Sequence, residues 1–254
     1  MAASALVYIG LCIAFIGLLN ALKPMHFVGV RRRSQGLGIA GAGLALVVTG
    51  FLLPAPESRV TRVESHLDEF VPVWQFNEVH DIRIAAPPEK AFDALKRVSA
   101  DEISLFRTLT WIRRGGRDQP ESILNAGSDE PLIDVATRSG FVSLADEAQR
   151  ELVIGTVVVA PRSARGSVTP DLFRTRLPPG FAIAAMNFVV QPDGAGSRVS
   201  TETRVFANSS SAKRRFAVYW RLIYPGSALI RRMWLRAIER RATEPPASRP
   251  VGKQ

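Results

Sequence analysis

The stretch STETRVFANSSSAKRRFAVYWRLIYPGSALIRRMWLRAIERRA, Ser200 to Ala242, passes from period-two alternation to helical periodicity within a few residues. Its first part continues a strand expected over Arg198–Ala207. The rest predicts a helix from about Ser211 to Thr243, interrupted near Pro225-Gly226, where proline removes a backbone donor. The last section of that helix carries Leu229, Ile230, Met233, Trp234, Ala237 and Ile238 on one side. Arg231, Arg232, Arg236, Arg240 and Arg241 fall on the other. A stripe of that length must be buried, and a curved sheet wrapped around the helix is the arrangement that buries it.

Working back from Arg198, the turn-rich Pro192 to Ser197 reads as a hairpin connection from a strand over Phe181–Gln191. Further strand-like runs are Glu151–Ala160, Gly140–Ala145 and Leu132–Thr137. Before them, Ser99 and Glu102 have capping-box spacing ahead of a helix carrying Ile103, Phe106 and Leu109, closed by Gly115-Gly116. An earlier helix opens at Pro87-Pro88 and sets Ala91, Phe92, Leu95 and Val98 against Glu89, Lys90, Asp93 and Lys96. Trp74 to Ile84 alternates as a strand with Trp74, Phe76, Ile82 and Ile84 on one face. Strand, two helices, a run of antiparallel strands and one long amphipathic helix make an α+β layout. The domain is placed at residues 78–243, with 56–77 as a juxtamembrane linker and strand lead-in. The Pro-rich tail from 244 is expected to be disordered.

Two uncharged runs precede the domain, Ala2 to Leu22 and Gly36 to Ala55. Each is long enough to span the roughly 30 Å hydrocarbon core of a bilayer as a helix, so residues 1–55 read as a two-helix transmembrane anchor. A signal peptide is the competing reading of the first run, opposed by an n-region without Lys or Arg. Small residues at four-residue spacing, Gly38 with Ala42 and Gly41 with Ala45, would let the helices approach closely. The loop from Lys23 to Gln35 holds four basic residues and no acid, so positive-inside bias puts it in the cytoplasm and the domain on the far side of the membrane. The chain has a net charge of +10, unevenly placed. Residues 54–207 carry 18 basic and 21 acidic side chains, whereas 208–254 carry 11 basic and 2 acidic. The single cysteine, Cys12, lies in the first run and rules out a disulfide framework.

The order of elements, with the opening IRIAAPPEKAFDAL (Ile82–Leu95) and the closing run quoted above, resembles the START-like, or SRPBCC, helix-grip superfamily of polyketide cyclases/dehydratases and lipid-transport proteins. The closing run is similar to that of a bacterial membrane-anchored subgroup, in which a Thr-Glu-Thr-Arg strand leads into a Tyr-Trp helix and a Pro-Gly-Ser break. The resemblance spans roughly Glu78 to Ala242 and implies an apolar cavity between the sheet and the last helix. It does not fix a ligand, because one cavity architecture serves many ligands and a few reactions.

Candidate site residues follow. Phe106, Trp111, Phe141 and Phe188, with Phe173 and Phe181, are candidates to line a cavity or to fill a core. Glu202 and Arg204 share a strand face with Ser200 and Phe206. With Arg138 or Asp134 on another strand they would grip a ligand carboxylate or head group, or else form a cross-strand ion pair. Tyr219 and Trp220 read as packing. His26, His66 and His80 do not share metal-ligand spacing, so neither a metal nor a cofactor is expected. His80 shares the face of Ile82 and Ile84 and would act as a general base if it faced the cavity. No catalytic constellation is assembled. Arg231, Arg232, Arg236 and Arg240 suit docking on anionic lipid head groups, or a solvated helix face. Nucleic acid is disfavoured by the anchor and by the lack of interleaved exposed aromatics. The expectation is a non-catalytic, membrane-anchored binding module for a lipid or other apolar small molecule. The alternatives are a cyclase/dehydratase-type enzyme, or an envelope protein docking through its basic helix. Oligomeric state is not legible.

Overall fold

The structure, a computed structural model, describes residues 2–23, 32–164 and 167–244. His26, most of the short basic loop and the tail beyond Glu244 lie outside the described residues.

Two helices, α1 (Ala2–Leu22) and α2 (Arg33–Leu52), are long and apolar enough to cross a membrane. They form an antiparallel hairpin along a seam of glycines seven residues apart, in which Gly10 meets Gly43, while Gly17 meets Ala40, Gly36 meets Ala21 and Gly50 meets Val7. A Cβ on Gly43 would stand 2.3 Å from the Ala14 amide nitrogen, so the close approach demands glycine there. The four-residue pairs singled out in the sequence do not make this contact. Gly38 and Gly41 face open space. A seven-residue period keeps one seam turned toward the partner helix along the hairpin, which a single four-residue step does not.

The domain is α+β. Five antiparallel strands, β3 (Phe76–Ile84), β4 (Val142–Glu147), β5 (Glu151–Val159), β6 (Ala182–Asp193) and β7 (Gly196–Ala207), lie in the order β3-β7-β6-β5-β4. The β6–β7 hairpin runs to Asp193 paired with Gly196, with Gly194 at φ 62° in the turn, so Pro192 and Ser197 belong to strands and not to a loop. The final helix, α7 (Ser210–Thr243), lies across the inner sheet face. It does not break at Pro225. The helix is continuous over 34 residues, and its packing outweighs the one backbone bond that proline forfeits.

Three shorter helices close one end of the layer, α4 (Pro88–Arg97), α5 (Phe106–Arg113) and α6 (Leu132–Arg138). Residues 132–137, expected as a strand, are helical. Leu132, Ile133, Val135 and Ala136 are buried at helical spacing, Asp134 sits in the first turn, Arg138 in the last, and Gly140 follows at φ 113°. The Ser99–Glu102 capping pair forms, with the Ser99 amide donating to Glu102 Oε1 at 2.9 Å, but it closes a turn. Helix α5 starts only at Phe106, because Ser99 is drawn into a bridge with Pro131 and Glu102 is held by Arg241 of α7.

The inner layer is filled at the α4–α6 end. Phe92, Leu95, Ile103, Phe106 and Phe188 pack there with Trp234, Leu235 and Ile238 of α7, the Phe188 and Trp234 rings 5.0 Å apart. The outer sheet face is covered as well. Residues 56–77, set apart above as a linker, carry β1 (Ser58–Arg59), α3 (His66–Phe70) and β2 (Val73–Trp74), and they bury Leu67, Phe70 and Val71 against Val153, Ile183 and Ala185. Trp74 therefore sits on the short strand β2 and the outer side, whereas Phe76 packs on the inner side against Phe216 and Trp220.

Candidate functional site

Toward the N-terminal half of α7 the inner layer opens into a cavity of about 390 Å³. Its room comes from side-chain size: β6 presents Ala184 and β7 presents Thr203 opposite Phe216, Trp220 and Ile223 of α7. The register of β5 also shifts between Val157 and Val159, where it passes the cavity. Phe141 and Met186 complete the apolar wall. Tyr219 and Val158, 38% and 37% exposed, mark where the wall reaches solvent.

The charged groups at this cavity are all cationic, and hydroxyls of Thr156, Thr203, Tyr219 and Ser227 accompany them. Arg231 reaches in from α7, and its Nη1 is enclosed with no hydrogen-bond partner. Burial pushes its guanidinium down to about 10, with Glu78 supporting the charge and Arg113 opposing it. The Thr203 hydroxyl, on the same wall, is also enclosed and without a partner. Arg113 donates from Nε to the Tyr219 hydroxyl at 2.7 Å. Behind the cavity, Glu78 is occupied on both oxygens: Oε1 lies 2.8 Å from His80 Nε2, and Oε2 accepts from Ser227 Oγ at 3.0 Å. His80 thus faces inward as alternation predicted. Its partner is a carboxylate, however, and the Ser227 hydroxyl is bonded to that carboxylate instead of to the imidazole. A base beside a nucleophile, the arrangement that covalent catalysis requires, is not formed by these three groups.

Glu202 and Arg204 do share a face, as expected, but it is the outer one. Val199 and Val205 of β7 pack inward, which turns the alternate residues away from α7. Every nitrogen of the Arg204 guanidinium is engaged. Nε and Nη2 donate to Glu202 at 2.7 and 3.0 Å, Nη1 donates to Asp68 Oδ1 at 2.7 Å, and the group stacks 4.0 Å from the Trp74 ring centroid. Asp68 also accepts from the amides of Glu64 and Ser65 at 2.8 and 2.9 Å. Burial would raise the Asp68 carboxyl, but those amides and Arg204 outweigh it and hold it below its ordinary value. Beside it, Glu151 caps α3 by accepting from the His66 amide at 2.8 Å. These residues clamp the segment before β3 onto the sheet.

The other candidates scatter. Phe141 lines the inner cavity, while Phe106 and Phe188 are core. Trp111 is 53% exposed on α5. Arg138 and Asp134 lie on α6 and not on a strand, and Arg138 is paired with Glu121 and Glu130. Phe173 and Phe181 line a second cavity, about 450 Å³, on the outer face between α3 and the 3₁₀ turn Pro170–Phe173. It is the larger of the two but has no enclosed, unpartnered charge, so the inner cavity is the better candidate site. Arg232, Arg236 and Arg240 are exposed, whereas Arg231, grouped with them in the sequence, points inward. Its position was legible: it stands four residues after Ser227 and three before Trp234, on the buried stripe. Among the described residues, no group of three or more His, Cys, Asp or Glu side chains converges to hold a metal.

No family model matches the chain, and no curated protein matches it. Solved structures do. Protein MLL2253 from Mesorhizobium loti is 16% identical over 65% of this chain and 98% of its own, with a TM-score of 0.33. TTHA0849 from Thermus thermophilus is 12% identical over 66% of this chain and 97% of its own, with a TM-score of 0.27. Ara h 8.0201 is 11% identical over 66% of this chain and 97% of its own, with a TM-score of 0.22. Similarity of this degree adds nothing about ligand or reaction. The helix-grip arrangement is seen directly, in α7 lying across the inner face of β3–β7.

Proposed function

We propose that the chain is a membrane-anchored binding module whose domain holds a lipid or other hydrophobic small molecule between the sheet and α7 without transforming it. The observation that carries this reading is the inner cavity. Its volume of about 390 Å³ and its largely apolar wall with a few inward polar groups are those of a small-molecule site. In this reading α1 and α2 span a bacterial cell membrane, the short basic loop stays in the cytoplasm, and the domain stands on the other side.

The attachment of the hairpin supports the placement. Tyr8 of α1 donates its hydroxyl to the Leu222 carbonyl of α7, and Arg221 donates to the Leu53 carbonyl just past α2. Leu222 is three residues beyond Tyr219 at the cavity's exposed edge, so the opening lies close to where the domain meets the hairpin. A molecule leaving a bilayer there has a short path to the cavity. The exposed Arg232, Arg236 and Arg240 add a second contact with anionic head groups, each contributing about 1 kcal/mol near such a surface.

Native mass spectrometry of the full-length protein, released from its own membrane, tests the reading. The expected result is a protein ion carrying an apolar molecule that extraction then identifies. A bare protein mass, together with failure to take up a panel of apolar fluorescent ligands, would remove the binding-module reading.

A further inference from the structure

We infer that the inner cavity takes an amphiphile with a single anionic head group, and that Arg231 and Thr203 hold that head. The inference rests on the cavity being a ligand site, as proposed above, and names the ligand's chemical class.

Three observations converge. First, Arg231 Nη1 and Thr203 Oγ1 are enclosed on the wall of one cavity, and neither has a hydrogen-bond partner. Enclosed donors left unmade are costly, more so when charged, and a wholly apolar occupant would leave both unmade. Second, the cationic character of the wall is not neutralised from within the domain. Arg113 and Arg231 line the cavity, with the exposed Arg215 at its edge, and among the described residues no acidic side chain makes a salt bridge with any of them. Third, the nearby carboxylate does not take up the free donor. Glu78, whose oxygens meet His80 and Ser227, makes no hydrogen bond with Arg231 and reaches it only as field. A carboxylate or phosphate monoester on an alkyl chain answers all three conditions. Its oxygens accept from Arg231 and Thr203, its charge offsets the arginines, and its chain lies against Ala184, Met186, Phe216 and Ile223.

The test uses the full-length chain in detergent, incubated with equal amounts of palmitic acid and cetyl alcohol, with hexadecyl phosphate in a parallel arm. Native mass spectrometry reads the bound species on each protein ion, and variants are compared with wild type so that instrumental bias cancels. The expected result is preference for one or both acids over the alcohol. In Arg231→Met that preference should fall roughly ten- to a hundred-fold, the effect of a lost charge-assisted hydrogen bond, with alcohol uptake retained. Arg231→Lys should keep the preference, and Thr203→Val should reduce it to a smaller extent. Equal uptake of acids and alcohol by wild type would overturn the assignment of the head group while leaving the cavity as a ligand site. Uptake of none of the three would overturn both. The wild-type comparison stands alone if Arg231→Met fails to fold.

Discussion

Arg204 and Arg231 contrast within one domain: the first has every guanidinium nitrogen paired, the second keeps an enclosed nitrogen without a partner. Arg204 has its fork filled by Glu202 and Asp68 and is spent on fastening the segment before β3 to the outer sheet face. Removing one partner of such a buried pair leaves the other uncompensated, at a cost of roughly 3–5 kcal/mol. Arg204→Leu should therefore release residues 64–74 first, seen as hydrogen-exchange protection lost there while the β6–β7 hairpin keeps its own. Acid should do the same. The Asp68 carboxyl is held below its ordinary value of 3.8, so the stability it contributes is complete above that pH and is lost as pH falls through the lower folded value. On stepwise acidification, exchange in residues 64–74 should rise only below the ordinary carboxylate range, and Asp68→Asn should abolish that step. The sequence showed that Glu202 and Arg204 share a face but not which one. Alternation is symmetric, and the partner that decides it, Asp68, lies 136 residues away.

At the scale of elements, the seven-residue glycine seam makes the hairpin intolerant of added volume. Gly43→Leu should drive α1 and α2 apart, costing about 1–3 kcal/mol or more, and an SDS titration should show an earlier midpoint. Gly41→Leu, whose Cβ meets nothing, should leave the midpoint unchanged. Long elements were legible in the sequence: α4, β5, β6, β7 and the stripe of α7 from a period that many residues share, and α1 and α2 from their uncharged runs, with α2 beginning and ending three residues earlier than the run Gly36–Ala55. Short ones were not. Seven residues of α6 with four apolar side chains fit a strand or a helix, and only Pro131 before them and Gly140 after them favoured the helix. The expected break at Pro225 failed for a different reason. Local preference is outweighed there by packing along α7, with Arg221 and Leu222 fastened to the hairpin just ahead of the proline.

Across the whole molecule, both faces of one sheet are covered. The outer face packs under α3 and its flanking strands, with the cavity of about 450 Å³ beside them. The inner face is filled toward the C-terminal half of α7 and open toward the N-terminal half, on the side where the hairpin attaches. The candidate site was only partly visible beforehand. Phe141 was expected, while Arg231 was read as surface because basic residues flank it on α7. The most direct test of the account is to place the ligand. The full-length protein, in membranes containing a diazirine-bearing fatty acid and, separately, its alcohol, is irradiated, digested and mapped by mass spectrometry. Label on β6 around Ala184–Met186 and on α7 around Tyr219–Ile223 is the predicted result. Label confined to Leu172–Phe181 on the outer face, or to α1 and α2 alone, would contradict it.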